Sequence, residues 1–244
     1  MKACGIRWVC YTLVMRLTGC KRPGAVLLAA FGLFFHFLQP GLYLAEASEK
    51  IGLVARGGVV AILEDNGLEG DPSPVLPYPG VGLSVPLGPL YFEPGLDVYA
   101  TYFGYSDILD RPVPYAIENR SALVVGSVVN LPVEFGFSLA GLLGLRFFAG
   151  PSTDLRLCLT ADGLEGADQQ DASDETEKIA GYVWSAGRWL FGMAGLGLDL
   201  PASRGITLGI EGRAWYPVYR FWTEEDLPPT ENLRFSLTIR ALFR

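Results

Sequence analysis

The chain has 244 residues, of which half are hydrophobic, 26 are acidic and 19 are basic, giving a net charge of −7. This balance argues against nucleic acid as a partner, because phosphate binding requires an excess of lysine and arginine. One histidine and four cysteines leave few residues for metal or nucleophilic chemistry.

The N-terminal segment has the pattern of a secretory signal. A largely apolar run from Ala25 to Leu38 follows several basic residues and precedes a Gln-Pro break and a small-residue site. We expect cleavage after Ala47, so that 1–47 is the signal peptide and 48–244 is the mature domain, with Met15 as an alternative start. A permanent N-terminal anchor stays open, although the run is shorter than the roughly 20 residues of a membrane helix. A lipoprotein cleavage site at Cys20 also stays open.

Removal of the signal would leave a chain with little catalytic chemistry. His36 is the only histidine, and Cys158 is the only cysteine after position 47. The mature chain would then lack a Ser-His triad, a His-based metal site and a disulfide framework. It would carry 14 basic and 25 acidic residues, a net charge of −11. We therefore predict no enzymatic activity, no cofactor, no metal and no nucleic-acid partner.

Apolar and polar residues alternate repeatedly along the mature chain, and no segment has convincing helical periodicity. The alternation predicts eight strands, and a muddled phase near Gly192 suggests a bulge in the sixth. The strands are Lys50 to Leu63, Gly80 to Leu87, Leu90 to Phe103, Arg120 to Leu131, Phe135 to Phe148 with a continuation to Leu159, Ile179 to Leu200, Ile206 to Tyr216, and Arg234 to Arg244.

The predicted connections alternate between short and long. Short turns fall near 86 to 90, 131 to 134 and 200 to 205, and long loops fall near 64 to 78, 104 to 119, 161 to 178 and 217 to 232. This rhythm is typical of membrane barrels, and an even strand number lets the first strand pair with the last. The sequence therefore predicts an all-β fold, an eight-stranded antiparallel up-and-down transmembrane β-barrel. A soluble β-sandwich is the alternative.

The last predicted strand has one apolar and one polar face. Its apolar parity consists of Phe235, Leu237, Ile239, Ala241 and Phe243. Ser236, Thr238 and Arg240 have the opposite parity. We interpret Phe235, Leu237, Ile239 and Phe243 as the lipid-facing side of a C-terminal insertion strand.

Parity also predicts which charged side chains point into the barrel. Four basic and three acidic residues have the inward phase: Arg56, Arg146, Arg213, Arg240, Glu93, Asp97 and Glu211. Eight strands enclose a space that side chains nearly fill, so these charges are expected to pair and to plug the interior. A catalytic carboxylate pair of Glu93 and Asp97 is the alternative, but structural ion pairing accounts for both residues.

The tryptophans of the mature chain suggest where lipid headgroups would lie. Trp184, Trp189, Trp215 and Trp222 fall at or near the long-loop ends of the predicted strands. Indole rings favour the membrane interface. Burial in the core of a soluble protein is the alternative for these residues.

The segment from Gly195 to Tyr216, and that from Gly80 to Gly88, resemble the strand-turn-strand units of small bacterial outer-membrane barrels of the OmpW, OmpA and OmpX kind. Such families normally end on the aromatic residue, whereas here Arg244 follows Phe243. The resemblance implies a protein of the bacterial outer membrane with extracellular loops. It also implies an OmpW-like conduit for small hydrophobic molecules.

The alternative function is a closed barrel platform whose acidic extracellular loops mediate surface interaction or adhesion. The expected partners are outer-membrane lipid and the barrel-assembly machinery. A conduit would also bind small hydrophobic solutes, whereas a platform would also bind host surface ligands.

Overall fold

The computed structural model describes residues 42–44, 50–64, 73–115, 121–139, 143–161, 167–203, 205–223 and 230–244. The predicted signal and its cleavage site lie outside these residues, apart from a short strand, Leu42–Leu44. In the described part of the chain, no helix combines the length and the apolar character needed to cross a membrane.

The domain consists of eight strands, and three of them each continue in the same register across a two-residue break that contains a proline. They are β1 (Gly52–Ile62), β2 (Val75–Pro77 and Gly80–Leu87), β3 (Leu90–Phe92 and Gly95–Ser106), β4 (Ala122–Asn130 and Val133–Leu139), β5 (Leu143–Thr160), β6 (Leu190–Ser203), β7 (Ile206–Pro217) and β8 (Arg234–Phe243). A short strand, Arg111–Pro114, pairs with the end of β3. The helix α1 spans Ala167–Trp184 and is followed by a 3₁₀ turn, Ser185–Gly187; a second, Val218–Phe221, follows β7.

The strands form a closed ring. Each strand pairs antiparallel with the next in sequence. β8 then pairs with β1, from Arg234 opposite Ile62 to Phe243 opposite Leu53. The ring confirms the predicted eight-stranded up-and-down barrel. We call the end with the short connections, such as Leu87 to Leu90, the turn end, and the opposite end the loop end.

The turn predicted near 131 to 134 is wrong. β4 and β5 keep one register from Ala122 opposite Thr160 to Leu139 opposite Leu143, so the chain reverses between Leu139 and Leu143. The backbone ladder continues across the proline: Leu131 N–H donates to the Pro151 carbonyl at 3.0 Å, and the Pro132 carbonyl accepts from Glu93 N–H at 3.0 Å. The strand predicted from Phe135 to Phe148 therefore belongs to two strands.

The strand predicted to begin at Ile179 is also wrong, because α1 occupies this segment and β6 begins only at Leu190. The helix buries four side chains at spacings of four, three and four residues: Ala172, Thr176, Ile179 and Val183. This spacing defines one helical face. This helical face gives a weak sequence signal, because only two of its four buried residues are large and apolar and because seven acids lie in the segment from Ala161 to Glu177.

Side-chain exposure alternates along the strands in the sense opposite to that of a soluble protein. In β8, Phe235, Leu237, Ile239 and Phe243 are exposed. Ser236, Thr238 and Arg240, which have the other parity, are buried. The barrel therefore has an apolar exterior and a polar interior.

The loop-end half of the interior contains an apolar layer. It is formed by Val60, Ile62, Tyr78, Tyr99, Val128, Phe148, Phe191, Met193 and Trp215. Trp215 is 2% exposed, packs edge-on against Tyr78 and donates from Nε1 to Asn130 Oδ1 at 2.9 Å. Its predicted position at the headgroup level is therefore wrong. Trp184 and Trp222 are exposed, as an interfacial role requires.

The helix α1 lies on the interior side of the barrel wall at the loop end. Its Ile179 and Val183 pack against Phe103 of β3 and against Ala122 and Val124 of β4, all of which have the inward parity. The long strands β3, β4 and β5 thus provide an inner surface on which the helix rests. As a result, α1 covers part of the barrel mouth.

Candidate functional site

The centre of the barrel is filled by ion pairs that converge on Glu211 of β7. Its carboxylate contacts Arg213 at 2.7 Å, Arg56 at 2.9 Å and Arg146 at 3.3 Å. Thr238 Oγ1 donates a further hydrogen bond at 3.2 Å. One fully buried carboxylate therefore binds side chains from three strands besides its own.

Two other carboxylates extend the network toward β3. Glu93 pairs with both Arg56 and Arg240. Asp97 accepts from Arg213 at 3.1 Å and from Asn130 Nδ2 at 2.7 Å. The contacts with the arginines cross the interior between strands that are not neighbours in the sheet, whereas Asn130 lies on β4, next to β3.

All seven charged residues that the sequence predicts to face inward are buried and belong to this network. Two further members were missed: Glu134 contacts Arg146 at 2.8 Å, and Asp199 contacts it at 2.7 Å. Glu134 falls in the turn predicted near 131 to 134, where parity gives no direction, and Asp199 falls at the end of the predicted strand Ile179 to Leu200, next to the turn near 200 to 205. We name the following nine residues the interior ion network: Arg56, Arg146, Arg213, Arg240, Glu93, Glu134, Asp97, Asp199 and Glu211.

Glycines on the inner wall make room for the guanidinium groups. A Cβ atom at Gly95 would lie 2.8 Å from Arg56 Nη1, and one at Gly197 would lie 2.7 Å from Arg146 Nη2. A larger residue at either position would displace an arginine from its carboxylates. The guanidinium groups of Arg56 and Arg146 therefore lie close to the wall at these glycines.

A second charged group occupies the loop-end half of the interior. Asp154 of β5 contacts Arg156 Nε at 2.6 Å and Arg234 Nη2 at 2.7 Å, and it accepts from Tyr99 Oη at 2.7 Å. Nearby, Arg111 pairs with Glu231. Together with Glu64, these charged residues form what we call the loop-end cluster: Glu64, Arg111, Asp154, Arg156, Glu231 and Arg234.

Glu64 differs from the other carboxyl groups because it faces another acid. Burial raises the pKa of Glu64 well above its usual range, and the hydrogen bond and the charge of Glu231 raise it further. Arg111 and Arg156 oppose this rise without cancelling it. Glu64 therefore tends to hold a proton, which it can donate to the Glu231 carboxylate.

A cavity of about 30 Å³ lies between α1 and the interior face of the strands. Arg111, Arg156, Glu64, Glu231, Tyr182 and Tyr219 are among its lining residues. Among the described residues, no three His, Cys, Asp or Glu side chains are grouped so that they could hold a metal ion.

The closed strand ring, the apolar exterior and the charged interior define the class of this fold: an eight-stranded β-barrel with the polarity of transmembrane barrels. No protein-family model matches the sequence. No curated protein sequence matches it either.

Solved structures provide similarities in chain architecture. The structure of Neisserial surface protein A matches with a TM-score of 0.46 and 12% identity, over 82% of this chain and 99% of that chain. The outer membrane protein Ail of Yersinia pestis matches with a TM-score of 0.39 and 9% identity, over 80% of this chain and 100% of that chain. At such low identity the similarity concerns the fold alone, and the barrel assignment rests on the strand pairing of this chain.

We predict that Glu211→Gln destabilises the barrel by about 3 kcal/mol, because removal of one partner leaves buried charges without compensation. The variant would be compared with the wild type by the urea midpoint of unfolding in detergent micelles. Glu177→Gln, on the exposed face of α1, is the matched control and should change stability by about 0.5 kcal/mol or less. Equal midpoints for the two variants would contradict a structural role for the network.

We predict that Glu64→Gln stabilises the protein more at about pH 8 than at about pH 4. The folded-state pKa of Glu64 is raised above the unfolded value, so its favourable contribution is complete below the unfolded pKa and is lost as the pH rises through the folded pKa. Glutamine cannot ionise and keeps a hydrogen-bond donor for Glu231. Urea midpoints measured across this range should diverge with rising pH, whereas Glu177→Gln should run parallel to the wild type.

Proposed function

We propose that this protein is an integral protein of the bacterial outer membrane that acts as a closed barrel platform, displaying its loop end outside the cell. The observation that carries the proposal is the interior ion network, whose nine charged side chains cross the lumen and pair with one another. A barrel filled in this way offers its outer surface and its loop end for function.

The exterior supports a membrane location. Large apolar side chains are exposed on all eight strands, and soluble proteins rarely expose such a continuous apolar surface. These residues are Leu53, Val59, Val75, Val81, Leu83, Leu87, Leu96, Val98, Val133, Phe135, Phe147, Leu155, Leu157, Leu159, Leu196, Leu198, Leu200, Leu208, Ile210, Tyr216, Phe235, Leu237, Ile239 and Phe243. Because the ring leaves no free strand edge, the backbone needs no hydrogen bonds from lipid.

Aromatic side chains at the loop end fit a membrane interface. Tyr216 and Phe221 are exposed, and their ring centroids lie 5.8 Å apart. Trp222 is exposed next to them and donates from Nε1 to the Ala186 carbonyl at 2.8 Å. Rings of this kind favour the headgroup region, so they support a boundary between lipid and water near the end of β7.

The loop end offers an acidic surface to partners. The helix α1 turns Asp171, Asp174 and Glu177 to solvent, while its opposite face rests on the barrel wall. A rigid helix displays these carboxylates at fixed spacing. This arrangement supports surface interaction or adhesion, with α1 as the displayed element.

The conduit for small hydrophobic molecules is the competing hypothesis. It requires an apolar path through the barrel or its wall, and the interior ion network would have to move aside. Transport measurements separate the two functions, because a platform needs no open lumen.

We predict that the wild-type protein gives no steady ion conductance in planar bilayers and does not speed the entry of hydrophobic solutes into proteoliposomes. Glu93→Ala/Arg240→Ala removes one positive and one negative charge from the lumen and should produce a measurable conductance. This double variant is the positive control for the assay, once its gel mobility without boiling shows that it is folded. Wild-type conductance or solute entry would contradict the closed platform and favour the conduit.

We predict that Ile239→Arg costs about 2–4 kcal/mol in lipid bilayers, because Ile239 is exposed near the middle of β8. Phe243→Arg, on the same face at the strand end, should cost only about 0–1 kcal/mol. Unfolding from vesicles provides the measurement. A water-soluble wild-type protein, or equal costs for the two variants, would overturn the membrane location.

A further inference from the structure

The three guanidinium groups of the loop-end cluster form ion pairs with only two carboxylates, those of Asp154 and Glu231. Asp154 is shared by Arg156 and Arg234, while Arg111 is matched by Glu231. Glu64 shares a hydrogen bond with Glu231, and its position against that acid favours the protonated form. Within the described part of the cluster, Arg156 and Arg234 therefore share a single carboxylate, that of Asp154.

Within this cluster, the guanidinium group of Arg156 faces the cavity beneath α1. Its side chain is 9% exposed, and its Nε atom donates to Asp154 at 2.6 Å. No hydrogen bond or ion pair joins its two terminal nitrogens to any residue that the structure describes. Arg156 also lines the cavity beneath α1. The cavity is thus lined by a largely buried guanidinium group whose terminal N–H donors have no acceptor among the described residues.

The size of the cavity limits what can bind there. A volume of about 30 Å³ exceeds the roughly 10–15 Å³ that one water needs, and it is far below that of a typical ligand pocket. Tyr182 and Tyr219 add hydroxyl groups to the lining. The space therefore fits a single ion or a group of two or three heavy atoms.

We propose that the cavity beneath α1 binds one small monovalent anion, of the size of chloride or formate, through the terminal nitrogens of Arg156. The anion balances the second guanidinium group that Asp154 leaves uncompensated. It lies inside the protein between α1 and the strands, so binding also holds α1 on the barrel wall. This site is independent of the membrane location and of the closed-platform function.

Bromide is the probe for the site because it matches chloride in charge and scatters X-rays anomalously. The full chain would be crystallised from detergent in bromide, and an anomalous peak is expected in the cavity within hydrogen-bonding distance of Arg156. In solution, replacing gluconate by bromide at constant ionic strength should raise the unfolding midpoint. A bromide concentration tenfold above Kd should raise it by about 3 °C.

Substitutions distinguish a specific site from a general salt effect. Arg156→Gln should lose both the anomalous peak and the bromide-dependent rise. Arg244→Gln removes the same charge from an exposed position at the turn end and should keep both. If Arg156→Gln fails to fold, Arg156→Lys preserves the charge beside Asp154 but lacks the planar fork, and it should weaken the bromide response.

Two results would overturn the proposal. One is a crystal whose bromide peaks all lie outside the cavity. The other is an equal bromide-dependent rise in the wild type and in the folded Arg156 variant. A response to chloride and bromide but not to formate would identify a halide site, whereas a response to all three would identify a general site for small anions.

Discussion

The pairing of β8 with β1 is the constraint on which the rest of the structure depends. It removes both edges of the sheet and fixes one register, in which Arg240 lies opposite Arg56. Because side chains alternate along a strand, this register determines which face of every strand points inward. A slip of one residue would place apolar side chains in the interior and arginines in the surrounding medium.

Closure in turn forces the charges of the interior to compensate each other. Four arginines and five acids share a largely buried space, where the cost of an isolated charge is several kcal/mol. The network meets this cost with contacts between strands that are distant in the sheet, such as Glu93 with Arg240. These contacts also connect opposite sides of the barrel wall through side chains that fill the lumen.

Period-two patterning was sufficient to predict the parity of β1, β7 and β8 and the seven inward charges, because lipid-like and charged faces differ sharply. It failed where a local signal competed with long-range pairing. Asn130 and Pro132 resemble a turn locally, but the strands on either side continue the ladder and carry Glu134 inward. It also failed at α1, whose short apolar face is stabilised by contacts with Phe103 and Val124 that no local pattern contains.

The two halves of the interior differ in how an uncompensated charge can be neutralised. In the interior ion network the excess is acidic, and a carboxylate can take up a proton and become neutral. In the loop-end cluster the excess is a guanidinium group, which does not deprotonate in proteins. A counterion can neutralise it without ionisation of Glu64, while the acidic face of α1 repels anions that approach from outside. An ion held beneath α1 would therefore exchange slowly and act as a structural component of the barrel, rather than as a transported solute.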